Sequence, residues 1–352
     1  MPHNDDDDEI IVIKIGGSSI TNKSKEETLN QDSINWFASL IASCVHPSFL
    51  NHTTREEEEE DKEESIKTKK KPKFVVVHGA GSFGHHSAKR YGLQCGKAAL
   101  LNVESSRSSG DGGSTPERRK RFQMEAISKT RHSVQKLNAA MTGTFLDYGV
   151  NAVGISPGVS FPGLRAYGSS ANNNLDNQSN CSRAAMELLC ESICQSLKVG
   201  LLPVIHGDAC LLDDNKGGIL GGDTIVEGIV GSEKMKESVH KVIFISDVAG
   251  VFSSDPKANN DARLIRSLKV DVMTGEITID DENDVVEMHV SGSSHQHDVT
   301  GGLKAKLGAA VTAVKCGKDV IITKCCSRSA EKFVRGDSPP LPEKGTLITR
   351  KL

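Results

Sequence analysis

The sequence predicts an α/β fold, a three-layer αβα sandwich around a mainly parallel open sheet, and three observations predict it. Short apolar runs recur at Ile10–Ile15, Phe74–His78, Leu202–His206 and Val242–Ser246, the pattern of strands buried on both faces. Segments with helical apolar spacing separate them, so strand and helix alternate along the chain. Aromatic residues are only 4% of the chain while hydrophobic residues are 37%, so Val, Ile, Leu and Ala must build the core. At 352 residues the chain is long, but α/β folds reach this length as one unit, and residues 9–352 are expected to form a single domain.

The elements follow in order. Ile10–Ile15 is apolar except for Lys14 and runs into the glycine turn Gly16-Gly17-Ser18-Ser19. Ile34, Phe37 and Ile41 at helical spacing predict a helix over 28–45. Residues 52–73 are almost wholly charged and read as a solvated insert. The strand Phe74–His78 ends in a second glycine loop, Gly79 to Gly84, with a helix starting at His85. Residues 104–116, rich in Ser and Gly, form another insert, and Ile127, Val134, Leu137 and Met141 share one face of a long helix over 117–148. A short strand at 152–155, a polar insert at 168–182 and a helix over 183–199 lead to the strand at 202–206. A turn-rich stretch then reaches Gly221-Gly222-Asp223 and a helix to about Lys236. After the strand at 242–246, residues 276–297 read as a polar hairpin or insert. Gly301-Gly302 opens a helix to about Cys316, and 320–323 is a late strand.

Composition narrows the function classes. The formal net charge of −3 argues against nucleic acid as a partner. Nine cysteines without a Cys-x-x-Cys pair read as reduced thiols of a cytoplasmic protein. The opening residues, with the acidic tail 1–8, fit neither a secretory signal nor a transit peptide, and no apolar run is long enough for a membrane span.

Glycine turns at 16–17, 79–84, 221–222 and 301–302 follow strands or open helices, where backbone N–H groups can approach an anion closely. One such turn is commonly just a turn; four together point to a polyphosphate site. None matches Gly-x-x-x-x-Gly-Lys-[Ser/Thr], which excludes a P-loop. Lys14 sharpens the reading, because an ammonium in a buried strand is expected to reach past the strand end towards negative charge. An edge strand with Lys14 in solvent is the plainer alternative. His85-His86 at a helix start could merely cap or pack. His295 and His297 suggest no metal site without a third ligand in view.

Six segments, KIGGSSITNK, HGAGSFGHHSAKRYG, HGDA, LGGDTI, SDVAGVFSSDP and DVTGGLKAKLGAA, resemble the ordered motifs of the amino acid kinase superfamily, and most nearly its isopentenyl phosphate kinase branch. The resemblance implies that Lys14, Gly16, Gly17 and Ser18 cradle the phosphates of ATP, with Lys23 stabilising the transition state. It implies that His85 binds the acceptor phosphate, that Ala80 and Gly81 offer backbone N–H groups to acceptor and ATP, and that Gly207 and Asp208 lie beside the acceptor. Asp223 would hold the lysines in place. Asp247 and Phe252 would flank the nucleotide, and Gly302 and Lys306, rather than Lys304, would close over the phosphates. The branch usually has Gly at position 80, so Ala80 raises the question of how the loop bends.

The resemblance further implies isopentenyl phosphate as the small-molecule acceptor, ATP with Mg2+, and a homodimer. The acceptor-binding part would span roughly 9–205 and the nucleotide-binding part 206–352. A same-fold kinase for a phosphonate or an amino acid, or a non-catalytic nucleotide-binding regulator, are the competing readings.

Overall fold

The computed structural model describes residues 9–46, 72–91, 93, 116–157, 180–211, 217–254, 256, 259–280, 287–288, 301–336 and 344–351. The acidic tail 1–8, the insert residues 52–71, 104–115, 168–179, 281–286 and 289–297, and with them His295 and His297, lie outside the described residues.

Strands and helices alternate from the start: β1 (Ile10–Ile15), α1 (Gly17–Ile20), α2 (Gln31–Val45), β2 (Lys73–His78), α3 (Gly81–Arg90), α4 (Pro116–Asp147), β3 (Ala152–Ile155), α5 (Asn180–Lys198) and β4 (Leu202–His206). Then come β5 (Asp208–Leu211), β6 (Gly217–Leu220), α6 (Gly222–Gly231), β7 (Val239–Ser246), β8 (Val251–Phe252), β9 (Leu264–Ile265), β10 (Ser267–Val270), β11 (Ile277–Ile279) and β12 (Glu287–Met288). The described chain closes with α7 (Gly301–Lys315), β13 (Asp319–Lys324), α8 (Arg328–Arg335) and β14 (Thr346–Arg350).

Among the described residues ten strands form one sheet in the order β12-β11-β10-β14-β13-β7-β1-β2-β4-β3. The run from β13 to β3 is parallel throughout; β14 pairs antiparallel with β13 and parallel with β10, and antiparallel pairs then join β10 to β11 and β11 to the edge strand β12. Strand alternation divides the core. Ile10 and Val12 face a cluster with residues of α5, α6 and α7, while Ile11, Ile13 and Ile15 face one with residues of α2, α4 and α8. Helices therefore cover both faces, and the expected sandwich is the architecture found.

Several boundaries differ from the sequence reading. Helix α3 begins at Gly81, not His85, because its glycines answer close approach rather than flexibility: a β-carbon on Gly84 would lie 2.4 Å from the Ala80 β-carbon. The turn-rich stretch after β4 is a hairpin of β5 and β6, its Gly and Asp masking strand character. Helix α6 stops at Gly231, and the strand after it starts at Val239. Helix α8, unread in the sequence, is capped at both ends. Ser327 accepts from the Ala330 N–H, and Gly336 closes it at φ 93°.

Candidate active site

Strands β7, β1, β2 and β4 are parallel neighbours, so their carboxyl ends, and the loops after them, share one edge of the sheet. The sheet ladder runs on into those loops. Gly16 N–H donates to Ile245 O (2.8 Å), Gly79 N–H to Ile15 O (3.0 Å) and Gly207 N–H to His78 O (2.9 Å). The glycines then touch. A β-carbon on Gly17 would lie 2.2 Å from the Gly81 nitrogen, and one on Gly207 would lie 3.4 Å from Gly222 N and 3.9 Å from Ala80 N. A β-carbon on Gly222 would lie 3.4 Å from Lys14 Cε. Loops distant in sequence thus meet around one lysine. Gly81 alone of the Gly79–Gly81 loop takes positive φ, at +50°, whereas Ala80 is an ordinary right-handed residue at φ −73°, so the alanine is accommodated without strain.

Lys14 shares its strand face with Ile10 and Val12 and so points towards α6. There its Nζ lies 2.9 Å from Asp223 Oδ1. The residue is only 7% exposed, so the aspartate supplies the charge that the buried ammonium needs. Lys306, on α7 and 8% exposed, donates to Ser246 Oγ at 2.9 Å, and that hydroxyl faces Asp247 Oδ1 at 3.4 Å. Burial, then the nearby Lys14 charge, pull the Lys306 ammonium down to about 8, against Asp223 and Asp247. Lys23 pairs with the other Asp247 oxygen at 2.9 Å, and its side chain is 59% exposed. Desolvation by the surrounding chain, followed by the charges of Lys23 and His86, lowers the His85 ring below the usual histidine value. The His86 ring meets the Lys23 carbonyl at 3.1 Å, and its Nε2–H donating there ties the Lys23 loop to α3.

The arrangement is three ammonium groups, two aspartates that position them, and a set of glycine loops, all at one sheet edge. Such an edge can hold two anions close together and offset their repulsion. The amino acid kinase family model matches residues 9–324. The chain belongs to the amino acid kinase family. It is 27% identical to an isopentenyl phosphate kinase of Arabidopsis thaliana, covering 96% of this chain and 94% of that one. An isopentenyl phosphate kinase of Methanothermobacter thermautotrophicus is also 27% identical, covering 97% and 100%. A crystal structure of isopentenyl phosphate kinase superposes with a TM-score of 0.62 at 22% identity, over 97% of this chain and 100% of that one, which establishes the shared fold.

Within this member of the amino acid kinase family, the structure brings together Lys14, Gly16, Gly17, Ala80, Gly81, Gly207, Asp223, Asp247 and Lys306. Lys23 and His85 stand at the solvent side of the same edge, linked through the influence of the lysine on the ring. Ser18 is half-buried in α1, and Gly302 sits in the first turn of α7. Lys304 is exposed, so of the two α7 lysines it is Lys306 that turns inward. Asp208 is buried, accepting from the Ala209 N–H at 2.8 Å, with Arg131 Nε 3.5 Å from its other oxygen. Phe252 is half-buried on β8, paired with Leu264 of β9.

Sequence reasoning missed three contributors. Thr21 staples the first two glycine loops: its hydroxyl donates to Gly17 O at 2.8 Å and accepts from the Ser82 N–H at 2.9 Å. Ser246 joins Lys306 to Asp247. Glu227 follows Asp223 by one helical turn, and burial, with the Asp223 charge, raises its carboxyl to about 7. Spacing of i, i+4 from an implicated aspartate was the available signal for Glu227.

Proposed function

We propose that this protein transfers the terminal phosphoryl group of ATP to isopentenyl phosphate, giving isopentenyl diphosphate and ADP. The observation that carries the reading is the convergence of Lys14, Lys23 and Lys306 with the glycine loops at one sheet edge, beside His85. Similarity along nearly the whole length of relatives named isopentenyl phosphate kinase supports it. A phosphate monoester has a second pKa of about 6, so the acceptor is already a dianion at neutral pH and needs no general base. What the reaction needs is cations and aligned N–H donors, because phosphoryl transfer rests on positioning and electrostatics. In this reading Lys14 and Lys306, steered by Asp223 and Ser246, hold the phosphates of ATP, Lys23 meets the charge that develops in transfer, and His85 and the Ala80 N–H hold the acceptor phosphate.

The residues present fit magnesium carried on the phosphate oxygens of the nucleotide. Among the described residues no group of three or more metal-binding side chains gathers, and Asp223 and Asp247 each face a lysine. The ion would supply further positive charge there. The resemblance supports a division into an acceptor part, roughly 9–205, and a nucleotide part, 206–352, with Lys14 of the first reaching the phosphates of the nucleotide. A homodimer and a cytoplasmic location are the readings that family resemblance and composition support. Among the described residues no helix is long and apolar enough to cross a membrane.

Release of ADP, followed with Mg-ATP and a panel of small phosphates, phosphonates and carboxylates, tests the proposal. Turnover of isopentenyl phosphate well above the other acceptors is expected; turnover confined to a carboxylate would defeat the reading. In the same assay His85→Ala should lower kcat/KM for the acceptor by roughly 10- to 100-fold, the worth of one charge-assisted hydrogen bond, while KM for ATP moves less than about threefold. An unchanged acceptor constant would remove His85 from the site.

Lys306 gives the reaction an alkaline limb. Its ammonium is lost as pH rises through about 8 in the free protein, so kcat/KM for ATP should decline above that pH. Bound phosphates favour the charged form, so kcat should decline only at higher pH. Lys306→Arg, which stays charged, should abolish the limb. A limb that persists in the arginine variant would assign it to another group.

A further inference from the structure

Strands β2 and β4 end in the same dipeptide, His-Gly, and the two histidines stand in register, His78 beside His206. Both are wholly buried, with ring centroids 6.1 Å apart. Alternation along their strands turns both towards α4, away from the lysines, and the phosphoryl-transfer scheme gives them no part. Buried imidazoles are retained at a cost unless each ring nitrogen is bonded, so the proton count can be followed atom by atom.

His78 Nδ1 lies 3.1 Å from Gly79 O, and His206 Nδ1 lies 3.0 Å from Gly207 O. A carbonyl only accepts, so each Nδ1 carries a proton. Burial above all lowers both rings, His206 to about 3, so they are neutral and each Nε2 is an acceptor. His206 Nε2 accepts from the Ser156 hydroxyl at 2.7 Å, and that hydroxyl accepts from Arg131 at 3.1 Å and Gln135 at 3.2 Å. The chain of donors is consistent from Arg131 to the Gly207 carbonyl. His78 Nε2 lies 3.0 Å from the Asn138 Oδ1 position, and a half-turn of that amide sets an N–H there, as the neutral ring requires.

The consequence lies in the next peptide. C=O and N–H of a trans peptide point in opposite directions, so a carbonyl pinned towards the buried ring turns the following N–H away from it. Ala80 N lies with Gly222 N around Gly207, and among the described residues the Ala80 N–H has no hydrogen-bond acceptor. We propose that His78 is a positioning residue, whose Nδ1–H pins the Gly79 carbonyl inward and so aims the Ala80 N–H at the phosphate of the acceptor, while His206 holds the abutting Gly207 peptide in the same way. This rests on the reading of the Gly79–Gly81 loop as the acceptor site.

Two substitutions separate the nitrogens, because Asn places its amide nitrogen where Nδ1 stood and Gln places its own where Nε2 stood. His78→Asn should keep the acceptor KM within about threefold of the parent protein, whereas His78→Gln should raise it about tenfold; the ATP KM should move less than about threefold in both. Equal acceptor constants in the two variants, or a parallel rise in the ATP constant, overturns the proposal. Should either variant fail to fold, nitrogen NMR of the unmodified, histidine-labelled protein gives an independent reading. Both rings should show a protonated Nδ1 and a bare Nε2 from about pH 6 to 8. A bare Nδ1 on His78 overturns the proposal. Unmodified protein that turns over no monophosphate contradicts the acceptor reading itself, and the NMR tautomer then decides the histidine assignment by itself.

Discussion

Lys14→Ala is expected to lower kcat by roughly 10²- to 10³-fold, the loss typical when one preorganised donor to a developing charge is removed. The ammonium sits in a central strand of the parallel run, against Asp223 at 2.9 Å and beside the first residue of α6. Removing it withdraws a cation and leaves a carboxylate where two anions must meet. Stability should fall by only about 1–3 kcal/mol, because the Asp223 side chain is 18% exposed and can regain water. Steady-state kinetics and thermal unfolding followed by circular dichroism read the two effects separately. A kcat within about threefold of the parent protein would reduce Lys14 to a structural partner of Asp223.

Gly17→Ala should be nearly as damaging without removing any charge. Its β-carbon would lie 2.2 Å from Gly81 N, 2.6 Å from Gly81 Cα and 2.9 Å from Gly79 C, all main-chain atoms that cannot swing aside. The first two glycine loops must part, breaking the Thr21 staple between them. A displacement of about 1 Å at a reacting centre is enough for roughly 10²-fold in rate, and overpacking of this kind lowers stability by about 1–3 kcal/mol. The same kinetics and melting curves check it. A variant with normal turnover would show that the loops are not held at contact distance during catalysis.

Much of the fold was legible because β1, β2, β4 and β7 are apolar runs buried on both faces, and because α2 and α4 carry clear helical spacing. Lys14 stood out as one charge in such a run. Its partner did not: nothing local in Gly221-Gly222-Asp223 says that α6 packs over β1, and only resemblance singled the aspartate out. The glycines of α3 read as a loop because sequence cannot tell a glycine needed for flexibility from one needed for absence of volume. His78 and His206 were read as strand ends; the repeated His-Gly dipeptide was visible, but its meaning depends on the two strands lying side by side. Asp223 and Glu227 share a helix face by spacing, yet the raised carboxyl of Glu227 comes from burial that only the packed helices create.

Strand β1 is encoded at the beginning of the chain, yet it pairs with β2 on one side and with β7, completed only at Ser246, on the other. During synthesis the earliest strand therefore waits for the last third of the polypeptide before its second edge is filled. Contacts of such long sequence separation slow folding, and here they make the anion cradle a late product of it. A nascent or truncated chain ending before β7 lacks Asp247 and Lys306 and has only one edge of β1 filled, so an anion site at this edge waits for the native sheet.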